Sequence, residues 1–299
     1  SPHMYTDIGW ENMQNWIHDG GFDNLLFTPN GKVHRILTKN ATKNLLHPFQ
    51  PFIIGQKTFV VKMALKLNIP LVFYGEMPGE YGKKMSHKLN RFGTNEGNLS
   101  QKGFEMDPLM GKNFKDVYLG GKKVSEYLDE GLTLNDLESY KPADFNLVDE
   151  KKISFYFLGY YLRWVPQENY YFAVDKINFK SNEERTEGTY QKYASIDDKI
   201  DGFFYYTKYI KFGVGRAMKD SGQEIRNGHI TKDEGLSLIE KFDGEYPTKY
   251  EDDFYKYVDI DKNSFIDLCD EFRPDHIWKK TGNKWDYKIS PREFFKKKS

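Results

Sequence analysis

One cysteine, Cys269, occurs in 299 residues. A disulfide within the chain is therefore excluded, and with it the small bridge-stapled secreted scaffolds. Cys269 falls at an apolar helical position in F-I-D-L-C-D-E-F, so we expect a buried, inert thiol rather than a nucleophile. Net charge is missing too, because 44 Lys and Arg offset 44 Asp and Glu. Without a basic excess, bulk electrostatics give no case for a nucleic-acid partner. No apolar run is long enough for a membrane span, no signal peptide is visible, and the mean hydropathy is −0.74. A cytoplasmic location is the expectation. The phosphate-loop signatures G-x-x-x-x-G-K-[ST] and G-x-G-x-x-G are absent. So is any convincing Ser-His-Asp or Cys-His set, which argues against covalent nucleophilic catalysis.

What is abundant is aromatic, with 21 Tyr and 23 Phe. Such side chains stack on sugars or bases, and more commonly just pack. Apolar spacing predicts helices over residues 7–17, 33–46 and 53–67, and strands over 22–28, 69–74 and 153–164. Strands alternating with helices argue for an α/β fold with a doubly wound parallel sheet. Ligands of such sheets bind beyond the strand C-terminal ends. There Gly75 lets the chain turn sharply, and Glu76 and Glu80 follow four apart in Y-G-E-M-P-G-E-Y-G. Oxygen ligands on such a loop suit Mg2+; a solvated acidic turn suits the same residues equally. Residues 83–150 carry only short-range apolar patterning and read as an insertion or lid, with a plain connector as the other reading. Short helices are expected there in K-K-V-S-E-Y-L-D-E-G and after a cap at Thr133. A helix is expected after Pro166, two more over 249–258 and 263–272, and then a mobile basic tail. The domain expectation is 1–82, 83–150 and 151–299, the last with a helical C-terminal region.

The densest stretch runs over residues 184–247. Ser195 with Asp198 predicts a capping box and a helix start. Ile196, Ile200, Phe203, Phe204, Thr207, Ile210 and Val214 then share one helical stripe. Thr231 with Glu234 predicts a second capped helix that buries Leu236 and Ile239. Between them K-F-G-V-G-R precedes Asp220, Glu224 and Arg226. Arg185, Lys208, Lys211, Arg216 and Arg226 are cations of the kind that hold phosphate or carboxylate. Asp197, Asp198, Asp201, Asp220 and Glu224 are carboxylates suited to those cations or a metal. Any one of these charges fits a solvated helix face as well.

The string R-T-E-G-T-Y…Y-A-S-I-D-D-K-I-D-G…K-F-G-V-G-R…E-I-R-N-G-H-I…D-G-E-Y-P closely resembles the N-acetyl sugar amidotransferases. These are the PseA- and WbpG-type proteins of pseudaminic-acid and LPS biosynthesis, linked to flagellin glycosylation. The resemblance implies an adenine nucleotide alpha hydrolase-like (PP-loop) fold that uses ATP and Mg2+. It implies conversion of a sugar N-acetyl group to acetamidino by adenylation and attack of ammonia. On that resemblance Lys211, Arg216, Arg185 and Arg226 are the expected charge-stabilising catalytic residues. Gly75, Glu76, Glu80, Gln56 and Lys57 are expected near the nucleotide, with Glu76 and Glu80 on the metal, and His47 and Gln50 line the same side. Asp197, Asp198, Asp201, Tyr190 and Glu187 are expected on the sugar. The family's cysteine knuckle, a Zn2+ site, and its S-G-G-x-D-S phosphate loop lie upstream of the matching region, so the chain is expected to begin in mid-domain. A separate glutaminase subunit is the implied source of ammonia. Two other readings stay open: a PP-loop tRNA-modifying ligase, and a non-catalytic module that binds a sugar or a partner.

Overall fold

The structure is a computed structural model and is described over residues 4–75 and 113–296. The chain divides into two compact units, one of residues 26–44 and 49–165, the other of residues 2–25, 45–48 and 166–299. The fold is mixed α/β, with small sheets among many helices.

In chain order, α1 (Asp7–Asp19) belongs to the second unit. The first unit opens with α2 (Gly31–Leu45) and α3 (Gln50–Leu67), then β1 (Leu71–Tyr74). A small antiparallel pair, β2 (Tyr118–Leu119) and β3 (Lys122–Lys123), leads to α4 (Val124–Asp129). Then come α5 (Phe145–Glu150), β4 (Ser154–Phe157) and α6 (Leu158–Tyr161). Val33 and Leu37 of α2 share a core with Val117, Leu119, Val124, Tyr127, Leu137 and Tyr140. His34 Nδ1 and the Tyr140 hydroxyl, 2.6 Å apart, close that core with a buried hydrogen bond. A second cluster joins Val61 and Ala64 of α3 to Val148, Ile153 and Phe155.

The expected parallel pairing is present between β1 and β4, in register from Leu71 with Ser154 to Tyr74 with Phe157. Among the described residues it is the one parallel ladder. The predicted strand over 153–164 is shorter than its apolar run. It ends where β1 ends, and Leu158, Tyr160, Tyr161 and Leu162 turn outward as exposed residues. No strand forms over 22–28. Its apolar side chains find ring partners instead, Phe22 stacked on Trp16 at 5.5 Å and Phe27 on Phe59 at 5.0 Å. With no ladder partner for its backbone, an apolar run alone does not make a strand.

The second unit continues with α7 (Pro166–Ile177), α8 (Asp201–Phe212), α9 (Arg216–Asn227), α10 (Lys232–Phe242), α11 (Glu251–Val258) and α12 (Lys262–Glu271). A hairpin of β5 (Trp278–Thr281) and β6 (Lys284–Tyr287) and a last helix, α13 (Pro291–Lys296), complete it. Much of the predicted stripe is buried: Ile200, just ahead of α8, and Phe203 and Ile210 within it lose almost all exposure, whereas Phe204 and Val214 stay half-buried. Phe203 stacks on Phe254 of α11 at 3.8 Å between centroids, and Phe265 of α12 meets both edge-on. Cys269 is buried, as expected, and burial pushes its thiol up to about 12.

Candidate functional site: an acidic cleft built from the charged motifs

Helix α8 does not start at Ser195. That residue sits at φ 50°, in the left-handed region, and its hydroxyl bonds the Tyr205 hydroxyl at 3.0 Å. The helix begins six residues later, at Asp201. Asp198 still acts locally, its Oδ1 accepting from the Ile200 N–H at 2.8 Å. The intervening loop is held by the N-terminal segment. Thr6 N–H donates to the Asp197 carbonyl at 3.1 Å and Lys199 N–H to the Met4 carbonyl at 2.9 Å. The Thr6 hydroxyl donates to the Ile196 carbonyl and also accepts from Gly9 N–H, capping α1. A Cβ at Gly9 would come within 2.5 Å of the Asp197 Cα, so this approach requires glycine.

The other walls come from the remaining motifs. Arg185 forks Glu245 with two bonds of 2.7 Å, and Glu245 also accepts from Gly188 N–H at 2.7 Å. The guanidinium holds the Glu245 carboxyl below its usual range. Glu187 Oε1 accepts from the backbone N–H and hydroxyl of Thr248, each at 2.7 Å, and from Lys249 N–H at 3.0 Å. R-T-E-G is thereby tied to D-G-E-Y-P-T-K. Gly202 allows α8 to lie against Pro247, whose Cβ is 2.9 Å from where a side chain would begin. The result is a cleft of about 370 Å³ wholly within the second unit. Thr6, Glu184, Arg185, Thr186 and Glu187 line one part of it; Asp198, Lys199, Asp201, Pro247, Thr248 and Tyr250 line the rest.

Behind the wall, α9 turns a charged face inward. Arg216, Asp220, Ser221, Gln223 and Glu224 are all buried. Arg216 donates to the carbonyls of Ala194 and Ser195 and lies 4.7 Å from the Tyr205 ring. Asp220 accepts from the Thr189 hydroxyl at 2.6 Å. Glu224 and His229 Nδ1 are 2.6 Å apart. Asp243 accepts from Gly215 and Met218 N–H at the start of α9. Burial pushes its carboxyl up to about 7 against those bonds, and Asp220 adds to the rise.

The sequence-predicted residues fall in several places. Asp198, Asp201, Glu187 and Arg185 meet at the cleft. Asp197 lies beside it on the loop held by Thr6. Arg216 stands one layer behind. Tyr190 packs near Phe242, and burial, with Asp220 and Glu224, raises its phenol above the ordinary range. Lys211 and Arg226 are not brought to this cleft. Each lies ten residues along its helix, about 15 Å, from Asp201 and Arg216 respectively. Lys211 donates to the Leu45 carbonyl at 2.8 Å, and burial pushes it down to about 8. Gln56 and Lys57 sit on α3 of the first unit, and Gly75 directly follows β1. In that unit Gln50 Oε1 accepts from Gly120 N–H at 3.0 Å, whereas His47 stacks on Phe204 in the second. Glu76 and Glu80 lie outside the described residues. Among the described residues no His, Cys, Asp and Glu group suits a metal ion. Sequence reasoning missed Thr6, Gly9, Glu245 and Thr248. The signal for Glu245 was present: an acid inside D-G-E-Y-P facing a motif with one exposed arginine.

No curated protein sequence matches the chain. Residues 187–291 match the family model described as LPS biosynthesis protein WbpG-like, C-terminal domain. The matched segment spans α8 to β6 and carries the cleft walls from Glu187 to Tyr250. Residues 187–291 are thus similar to the C-terminal domain of WbpG-like LPS biosynthesis proteins.

Proposed function

We propose that the protein is an ATP-dependent amidotransferase that converts the N-acetyl group of a sugar to acetamidino, with the sugar held in the cleft of the second unit. The observation that carries this reading is that the motifs of the WbpG-like segment converge on one cavity. The cavity is rich in hydrogen-bond acceptors and bordered by Tyr250 and Phe203. Hydroxyl-rich rings bind by acceptors around their rim and an aromatic against one face. In this reading Asp198, Asp201 and Glu187 take sugar hydroxyl and amide groups. Asp197 and Tyr190 support the same region from beside and behind it. Arg185 and Arg216 supply the nearest positive charge; Lys211 and Arg226 act from farther away.

The nucleotide side is assigned to the first unit. Among the described residues, a Cβ at Gly75 would meet nothing within 4 Å, which suits a close-lying phosphate after β1. The position beyond the C-terminal end of a parallel strand fits the same ligand. We assign Gly75, Gln56, Lys57, Glu76 and Glu80 to ATP, the last two to Mg2+, and β1 and β4 to a doubly wound PP-loop sheet. When bound, ATP makes the amide oxygen a leaving group. The protein orients the amide, excludes water and offers charge stabilisation. Ammonia comes from a glutaminase partner in this scheme, and the setting is cytoplasmic. No helix among the described residues is long and apolar enough to cross a membrane.

The test is to incubate the full-length protein with ATP, Mg2+, ammonium and a panel of acetamido sugars. Sugar-dependent release of AMP and pyrophosphate, rather than ADP, is expected. No AMP with any sugar contradicts the assignment and favours the tRNA-ligase or binding-module alternatives.

A further inference from the structure

The cleft holds an acid that the fold does not use. Asp198 is committed to the N–H groups of Ile200 and Met4. One oxygen of Glu187 is committed to Thr248 and Lys249. Asp201, in the first turn of α8, lines the cleft, and its carboxyl has no hydrogen-bond partner among the described residues. Two further groups nearby are incomplete. Among the described residues, Thr186, on the same wall, has a buried hydroxyl with no partner, and Arg216, 2% exposed, has one unpartnered terminal nitrogen. Buried polar groups left so are costly unless a ligand or water completes them.

The cations on the wall are already engaged. Arg185 is forked to Glu245, Lys199 pairs with Asp253 at 3.1 Å, and Lys249 lies over the Tyr250 ring. What remains open is acceptor-rich, which suits a ligand with N–H and O–H donors or a positive charge. Burial is the largest influence on Asp201 and raises its carboxyl well above the usual range. Asp197 and Asp198 on the preceding loop act in the same sense, while Arg216 and Lys219 of α9 oppose them. Arg185, Lys199, Lys249, Glu184 and Glu187 are the other charged groups around the same cavity.

Resting on the acetamido-sugar reading, we propose that Asp201 distinguishes the two ends of the reaction: as a neutral carboxyl it donates to the acetamido oxygen, and as a carboxylate it pairs with the acetamidinium nitrogens. A secondary amide presents a carbonyl acceptor, and an amidinium presents two parallel N–H donors to a carboxylate. One side chain can serve both ligands by holding or releasing its proton. The substrate is then favoured below the titration of Asp201 and the product above it.

The test is calorimetric binding of N-acetylglucosamine and its acetamidino counterpart to the full chain and to Asp201→Asn. The Asn amide donates like a neutral carboxyl but carries no negative charge. Asp201→Asn is expected to keep acetamido affinity and to lose acetamidino affinity by at least about tenfold, the scale of a lost charge-assisted pair. In the wild type, the ratio of acetamidino to acetamido affinity is expected to rise with pH. An unchanged acetamidino affinity in the variant, equal weakening of both ligands, or a pH-independent ratio in the wild type overturns the inference alone. A wild-type chain that binds neither sugar overturns the acetamido-sugar reading together with it.

Discussion

Asp243 shows how much one side chain carries in this domain. It caps the first turn of α9 through the Gly215 and Met218 N–H groups, yet burial raises its carboxyl to about 7. Its folded value lies above the unfolded value of an aspartate, so the folded state holds the proton more tightly. That contribution to stability is complete below the ordinary carboxylate range and is lost as the pH rises through about 7. Melts of the wild type should therefore fall across that window, and those of Asp243→Asn should fall less; parallel curves would remove Asp243 as the cause. The same contact explains Gly215. A Cβ there would stand 2.3 Å from the Asp243 carboxylate. Gly215→Ala should cost about 1–3 kcal/mol, the usual range for forced overpacking, measured by denaturant unfolding. Cys269, pushed up to about 12 by burial, should resist a thiol reagent in the native protein and react after denaturation; rapid native labelling would contradict its placement.

Among the elements, α9 is the unusual one. Most helices bury their apolar stripe, but α9 buries Arg216, Asp220, Gln223 and Glu224. Sequence periodicity sees such a helix as solvated, because the pattern alone does not say which side faces inward. The partners that reverse it, the Ala194 and Ser195 carbonyls and Thr189, come from a loop far back in the chain. Arg216→Met keeps the volume but strips two carbonyls of their donor, and should destabilise the domain by about 1–3 kcal/mol; an unchanged melt would contradict the buried bonds. Where the signal was local, it was readable. The Thr231–Glu234 box forms as predicted, with reciprocal bonds, and Thr231→Ala should cost about 1 kcal/mol. The Ser195–Asp198 spacing matched the same template and failed, because the Thr6 segment and the left-handed Ser195 hold those residues in a loop. The terminal hairpin was missed behind its basic composition. Its signal was the Gly282-Asn283 pair, two residues between alternating runs, with Gly282 at φ 61°.

At the scale of the whole molecule, part of the dense charge string folds around one cleft, but its wiring was not legible in the sequence. Its cations were read as a set, yet the fold separates them. Arg185 is at the cleft, Arg216 supports a wall, and Lys211 and Arg226 lie elsewhere. Helical spacing carries no information on which charges from different elements meet, and ion pairs such as Arg185–Glu245 span 60 residues. The first unit was read better in its elements than in its sheet, where β1 and β4 form the described parallel pair. The central claim is that the cleft serves replacement of an amide oxygen by nitrogen. Its most direct measurement supplies the full-length protein with ATP, Mg2+, 15N-labelled ammonium and an acetamido sugar, and follows the sugar by mass spectrometry and NMR. The account predicts a product carrying 15N in an acetamidino group, formed together with AMP. A sugar that is recovered unlabelled while AMP accumulates, or one that is never turned over across the panel, would contradict it.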